Sequence, residues 1–137
     1  MKYLLDTNVF LRFLVRDSEI DYKECKVLFE SIMNSKDEFI TTGMVLSEIS
    51  WVLVSYYKRS REETSEKLNG ILKIKGLKLV DNYNWLSAIK IYRENKVKFI
   101  DAVLSTIPQV AQKEWTIVSY DEDFKKLPVL WKKPSDL

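Results

Sequence analysis

The sequence predicts a three-layer α/β fold in which a short parallel sheet of four to five strands is flanked by helices. Short apolar runs alternate with longer segments of helical periodicity along the chain, which is the pattern of strand–helix–strand units. Such units are joined by right-handed crossovers, so the strands that they connect run parallel. The short runs are apolar at nearly every position, as strands covered on both faces require. This pattern leaves the order of the strands open.

The first half of the chain contains two predicted strands and four predicted helices. The strands are the runs KYLLD and EFITT, and the first helix lies between them over residues 8–15. A second helix over residues 18–34 follows a capping Asp or Ser. Residues 43–57 are apolar nearly all round, so this helix is expected to be central. Residues 60–74 begin with SREE, a capping-box sequence.

The second half repeats the alternation with shorter elements. The predicted elements are a strand at 77–80, a helix at 82–95, a helix at 98–112, a strand at 115–120, a short helix at 121–127 and a strand at 129–131. Pro108 lies inside the second of these helices, where a proline produces a kink because it lacks the backbone N–H. The alternation therefore continues to the last residues of the chain.

The composition describes one ordinary globular domain. The 137 residues are 46% hydrophobic and 31% charged, a balance that argues against disorder. No repeat or low-complexity linker divides the chain, so residues 1–137 are predicted to form a single domain. The net charge of +2 gives no general attraction to nucleic acid or anionic membranes. The absence of histidine excludes Ser-His-Asp and Cys-His catalysis and leaves carboxylates, hydroxyls, Lys and Arg as reactive groups.

The sequence also predicts a cytoplasmic location and no membrane association. Cys25 is the only cysteine, which excludes an internal disulfide and suits a reducing compartment. The apolar N-terminal residues are interrupted by Asp6, Asn8 and Arg12, unlike a secretion signal. No apolar stretch approaches the roughly 20 residues that cross a bilayer.

Four acidic residues lie in apolar surroundings. They are Asp6, Glu48, Asp101 and Asp121. Glu48 is the only charged residue between Phe39 and Tyr57, and Asp101 is the only one from Phe99 to Ala111. Taken singly, each acid has a structural explanation as a helix cap, a helix-surface residue or a partner of the helix dipole.

Taken together, the acids point to a bound cation. A buried ionised carboxylate without a partner is unfavourable, and the apolar segments contain no Lys or Arg to pair with it. Oxygen-only donor sets favour hard ions such as Mg²⁺ and Mn²⁺. Carboxylates that hold these ions are the usual apparatus for hydrolysing a phosphodiester.

The segments that contain the four acids are LLDTNVFL, VLSEISWVL, FIDAVL and IVSYDEDFKKL. Together they resemble the PIN domain family, specifically the VapC-type toxin ribonucleases of prokaryotic toxin–antitoxin pairs. The resemblance extends from Tyr3 to the end of the chain. Each motif alone is weak, but all four in this order in a chain of this length are specific.

The resemblance implies that the four acids converge at one end of a parallel sheet and bind one or two Mg²⁺ or Mn²⁺ ions. Asp6 and Asp101 would be the chief metal ligands. Glu48 and Asp121 would complete the catalytic cluster and orient the attacking water.

Five further residues receive roles, three of them from the same resemblance and two, Arg12 and Lys98, from their positions beside its motifs. Asn8 would support the site by hydrogen bonding. Ser119 stands where the family usually has Thr and keeps the hydroxyl. Asp123 would be either a secondary metal ligand or an acid at a helix N-terminus. Arg12 and Lys98 would contact RNA phosphate, with a solvent-facing charge as the alternative interpretation.

The implied activity is metal-dependent hydrolysis of RNA phosphodiester bonds by the toxin of a type II pair. The implied partners are RNA, a small antitoxin protein and a second copy of the chain in a homodimer. One alternative is a non-catalytic PIN module that binds RNA or protein. Another is a phosphatase with Asp6 as nucleophile, but such enzymes need a second Asp two positions on, where this chain has Asn8.

Overall fold

A five-stranded parallel sheet is the centre of the computed structural model, which describes residues 1–137. The strands are β1 (Lys2–Leu5), β2 (Glu38–Thr41), β3 (Leu77–Leu79), β4 (Thr116–Val118) and β5 (Leu130–Lys132). Their order is β3-β2-β1-β4-β5, and every neighbouring pair is parallel. Helices flank the sheet, so the predicted α/β fold class is confirmed.

Seven α-helices and two 3₁₀ helices connect the strands. The α-helices are α1 (Thr7–Val15), α2 (Glu19–Ile32), α3 (Gly43–Ser55), α4 (Arg61–Leu72), α5 (Trp85–Glu94), α6 (Phe99–Ser105) and α7 (Pro108–Ala111), and the 3₁₀ helices are Glu122–Lys126 and Pro134–Asp136. Ser18, Thr42, Ser60 and Asn84 cap the helices that follow them by accepting a backbone N–H. None of the helices is long and apolar enough to cross a membrane.

The prediction of one continuous helix over residues 98–112 is wrong, because the structure divides this segment into α6 and α7. Ile107, the residue before Pro108, has φ −56° and ψ 125°, which are outside the helical region. The proline ring disfavours helical backbone at the preceding residue. Pro108 then occupies the first turn of α7, where its missing N–H is tolerated.

Helix α3 is only partly buried, so the expectation of a wholly central helix is wrong. One face packs into the core through Val45, Ile49 and Leu53. The opposite face is apolar but exposed, with Trp51 67% and Val54 43% accessible. A helix lying on a sheet buries one side, and here the outer side is apolar as well.

The core surrounds the two central strands. Leu4 and Leu5 of β1 and Ile117 and Val118 of β4 are completely buried. Fully burying an aliphatic side chain of this size stabilises the fold by about 1.5–3 kcal/mol. The carboxyl ends of these strands are therefore fixed in position by the best-packed part of the molecule.

The strand order also defines where a ligand site is expected. From β1 the chain moves to β2 and β3 on one side, whereas β4 is followed by β5 on the other. The carboxyl ends of β1 and β4, paired through Leu5 and Val118, therefore lie at a topological switch point. Open α/β sheets bind ligands in the crevice outside such a point.

Candidate active site

The four predicted acids come together at this switch point. Asp6, Glu48 and Asp101 line one cavity of about 140 Å³, which Lys98 also lines. Asp121 lies beside it, with Oδ2 3.6 Å from the Lys98 ammonium. Four segments that are far apart in the sequence thus bring their acidic side chains to one edge of the sheet.

Asp6 occupies the N-cap position of α1 but does not act as its cap. Its side chain makes no capping hydrogen bond. Instead, Oδ2 accepts a hydrogen bond from Ser119 Oγ at 2.7 Å. The residue is 3% exposed, and Oδ1 is buried with no hydrogen-bond partner. Helix capping therefore does not account for Asp6.

Asp101 lies in the first turn of α6 and is 1% exposed. Its Oδ2 atom is buried without a hydrogen-bond partner. Buried polar atoms are almost always paired, so two unpaired carboxylate oxygens, on Asp6 and Asp101, indicate a site where a further group belongs.

Burial and mutual repulsion alter the ionisation of these two carboxyls. Desolvation raises the pKa of Asp6 to about 6, with a smaller contribution from Glu48, while the Ser119 hydrogen bond opposes the rise. Desolvation, followed by the charges of Asp6 and Asp121, raises the pKa of Asp101 to about 8. Perturbed carboxyls of this kind concentrate at functional sites.

Asn8 and Ser119 connect the start of α1 to the loop after β4. Asn8 Nδ2 donates to Ser119 Oγ at 3.1 Å, and the Tyr120 N–H donates to Asn8 Oδ1 at 3.1 Å. Ser119 Oγ also accepts from the Asp121 N–H at 3.0 Å. One serine hydroxyl thus fixes the Asp6 side chain and the backbone of Asp121.

Replacing Ser119 with Ala is expected to raise the pKa of Asp6 further, because the carboxylate loses the hydrogen bond that stabilises its charged form. Loss of the buried hydroxyl is also expected to destabilise the fold by about 1–3 kcal/mol. Carboxyl NMR titration and thermal unfolding measure the two effects. Ser119→Thr retains the hydroxyl and serves as the matched control. An unchanged Asp6 titration in Ser119→Ala would contradict this account.

Thr7 is a site residue that the sequence analysis did not identify. Its Oγ1 atom donates to Glu48 Oε2 at 2.7 Å, which ties α3 to the start of α1. The only indication of this role in the sequence was the position of Thr7 next to Asp6. Its partner lies 41 residues away, however, and no local pattern connects the two.

Lys98 lies at the rim of the acid cavity, directly before α6. Burial alone lowers the pKa of its ammonium, but the neighbouring carboxylates, Asp121 foremost, raise it above its ordinary value. The side chain remains 63% accessible, so it can meet a phosphate that approaches the cavity.

Two other predicted residues have different partners. The Arg12 guanidinium lies 3.2 Å from Asp17 and 3.3 Å from Asp21 and does not line the cavity. The Asp123 carboxylate lies 2.8 Å from the Lys126 ammonium, and its backbone N–H donates to Asp121 Oδ1. The structure therefore brings neither Arg12 nor the Asp123 side chain into the acid cavity.

The carboxylates surround the cavity without forming a ready-made chelate. No set of three or more acidic or cysteine side chains has the spacing that would hold a metal ion.

Comparison with known proteins agrees with this fold. The PIN domain family model matches residues 3–130. VapC20 from Mycobacterium tuberculosis, a toxin that cleaves the sarcin–ricin loop, superposes with a TM-score of 0.68 at 14% identity over 93% of this chain and 96% of that one. A comparison with curated protein sequences gives no significant match.

Two further solved structures are similar. VapBC2 from Rickettsia felis, bound to a DNA fragment from its promoter, gives a TM-score of 0.66 at 17% identity over 97% of this chain and 98% of that one. PAE2754 from Pyrobaculum aerophilum gives a TM-score of 0.67 at 13% identity over 99% of this chain and 91% of that one. At these identities the likeness establishes the fold.

The sheet order and the acids at its switch point define a parallel α/β protein with a carboxylate site. Because the family model covers nearly the whole chain, the protein belongs to the PIN domain family.

Proposed function

We propose that this protein is a ribonuclease that hydrolyses RNA phosphodiester bonds with the help of Mg²⁺ or Mn²⁺, and that it is the toxin of a type II toxin–antitoxin pair. The observation that carries the proposal is the pair of unpartnered, buried carboxylate oxygens on Asp6 and Asp101. Membership of the PIN family and the fold shared with an RNA-cleaving toxin support it.

The residues present fit a hard divalent cation. The donors are carboxylates and hydroxyls, with no histidine in the chain, and Mg²⁺ prefers oxygen ligands. A cation would pair the free oxygens of Asp6 and Asp101 and offset the desolvation, and to a smaller extent the repulsion, that raise the pKa of both. Rotation of the side chains is needed to close the ligand set, since no chelate is preformed.

Each residue has a distinct task in the proposed reaction. Asp6 and Asp101 would hold the cation, which when bound would supply Lewis-acid activation of the phosphodiester and of the attacking water. Glu48, fixed through one oxygen by Thr7, uses its other oxygen to orient that water. Lys98 contacts the substrate phosphate, and Asp121 holds the Lys98 ammonium at the cavity rim.

The test is an RNA cleavage assay with purified wild-type protein in Mg²⁺, in Mn²⁺ and in EDTA. Cleavage is expected with either metal, none in EDTA, and none by Asp6→Asn. Glu62→Gln is the matched control, because Glu62 is an exposed acid in the first turn of α4. Equal cleavage by the wild type and by Asp6→Asn would contradict the proposal. Phosphate release from phosphomonoesters without RNA cleavage would indicate a phosphatase.

The proposed antitoxin has a suitable groove between α1, α2 and α4. Two adjoining clefts of about 420 and 310 Å³ share Phe13, Phe29, Gly70 and Ile74. Four lysines line the clefts and outnumber the two acids, Glu30 and Glu66; the lysines are Lys26, Lys67, Lys73 and Lys75. An apolar floor with a basic rim fits an amphipathic segment with acidic edges. The test is binding of the purified chain to the small protein encoded by the neighbouring gene. Absence of binding would contradict the proposal of an antitoxin partner.

The proposed homodimer is supported by the outer face of α5. Leu86 is 82% and Ile89 53% exposed, with Trp85 and Tyr92 about half exposed beside them. An apolar helix face of this kind suits a two-fold contact with its own copy. Light scattering tests the proposal, since it requires a dimeric mass for the wild type and a monomeric mass for Leu86→Lys.

A further inference from the structure

We propose that the cleft between α3 and α6 binds one unpaired nucleobase of the RNA, next to the phosphate that is cleaved. The cleft has a volume of about 300 Å³ and is lined by Met44, Ser47, Glu48, Trp51, Phe99 and Ile100. Glu48 also lines the acid cavity, so the two spaces share a wall. This inference rests on the proposed function, because it assigns a place to part of the same substrate.

Two aromatic rings provide the surface on which a base can stack. Trp51 is 67% and Phe99 39% exposed. The Phe99 ring is supported by Trp85, with centroids 6.5 Å apart and planes 25° apart, and by the edge contact of Tyr92 at 5.5 Å. A supported, exposed ring is the arrangement with which proteins bind single-stranded nucleic acid, because every base has a flat π-face.

The cleft also has a polar group for the edge of a base. Ser47 is exposed on α3 and lines the cleft, and its hydroxyl can donate or accept a hydrogen bond. Glu48, whose free oxygen is assigned to the water in the proposed reaction, forms the wall that the cleft shares with the acid cavity. A base has both an apolar face and hydrogen-bonding edges, and the cleft offers partners for each.

Chain connectivity places phosphate and base contacts side by side. Lys98 lines the acid cavity and Phe99, the next residue, lines the cleft. A nucleotide whose phosphate meets Lys98 therefore has Phe99 and Trp51 within the adjoining cleft for its base. A purely apolar segment of a second copy would instead lie against the carboxylate of Glu48, which is unfavourable to desolvate.

The experiment measures RNA binding by the Asp6→Asn chain, which is not expected to cleave the probe. The probes are fluorescein-labelled single-stranded oligoadenylate of about 12 nucleotides and an abasic oligomer of the same length. Fluorescence anisotropy in Ca²⁺ gives both affinities. Adding Trp51→Ala is expected to weaken oligoadenylate binding about 5- to 150-fold, the effect of losing one base–aromatic stack, and to leave abasic binding unchanged. Phe99→Leu is expected to act in the same direction.

Two control variants separate stacking from general surface effects. Trp51→Phe keeps an aromatic ring and is expected to retain most of the affinity. Tyr56→Ala removes an aromatic side chain that is 74% exposed but outside the cleft, and is expected to change nothing. Trp51 is itself exposed, so its replacement is not expected to impair folding.

Several outcomes would overturn the inference. Unchanged oligoadenylate affinity in Trp51→Ala, or an equal loss with the abasic probe, excludes stacking in the cleft. If light scattering finds that Trp51→Ala converts a dimer to a monomer while affinity per chain is unchanged, the cleft is a subunit contact. The test of stacking can fail independently of the proposed function. Stacking is measured as RNA binding by the Asp6→Asn chain, whereas the proposed function is measured as RNA cleavage by the wild type.

Discussion

Replacing Asp101 with Asn is expected to abolish RNA cleavage and at the same time to stabilise the protein. The amide keeps the shape of the side chain but cannot supply the negative charge that the cation requires, so cleavage should fall on the order of 10³-fold or more. At pH 8 in EDTA the amide avoids the desolvation of a buried charge and the repulsion from Asp6 and Asp121. We expect the melting temperature to rise by about 5 °C.

Cleavage assays and thermal unfolding of the same preparations measure both effects. Glu62→Gln again serves as the control, since this exposed acid should affect neither quantity. Loss of activity together with loss of stability would mean that Asp101 has a structural role, which contradicts the assignment. Retained activity would remove Asp101 from the catalytic group.

The second large effect expected is a loss of stability of the metal-free protein as the pH rises. The folded-state pKa of Asp101, about 8, lies above the unfolded value of about 3.9. The native state therefore binds more protons than the unfolded state between these pH values, and the free energy of unfolding falls as pH increases through this window. Asp6, with a pKa of about 6, contributes in the same direction below pH 6.

These two shifts correspond to a total decrease of about 7 kcal/mol between pH 4 and pH 8 in EDTA. Mn²⁺ binds ionised carboxylates, so its stabilising effect should grow over the same range. Differential scanning calorimetry at a series of pH values, with and without Mn²⁺, measures both trends. Asp101→Asn should show a smaller pH dependence and little response to Mn²⁺. A pH-independent wild-type melting temperature in EDTA would contradict the raised pKa values.

The sequence was sufficient to predict the fold class, because strand and helix periodicities are local signals. The runs at β1, β2 and β4 are apolar and short, and each is followed by a recognisable helix start. The order of the strands depends on which runs pair over long distances, and no local pattern specifies that. Pro108 indicated an irregularity, but the separation of α6 from α7 depends on the backbone of Ile107.

The acids of the site were identifiable because charged residues in apolar segments are unusual. Glu48 and Asp101 each stand alone in long uncharged stretches, which is a signal that a single sequence contains. The ion-pair partners of the charged residues near the site could not be predicted from the sequence. Arg12 has Asp17 and Asp21 as partners, because the turn after α1 brings Asp17 and the first turn of α2 back towards it. The spacing of a charge from the site does not reveal these partners.

The central position of β1 has a consequence for when the protein can act during its synthesis. The strand that leads to Asp6 is among the first parts of the chain to be made, but its partner β4 begins only at Thr116. The hydroxyl that holds Asp6 belongs to Ser119, so this contact joins residues 113 positions apart. Parallel pairing over such a distance forms late. A nascent chain that ends before β4 therefore has no organised acid cavity, and the carboxylate site takes its shape only after Ser119 has been made.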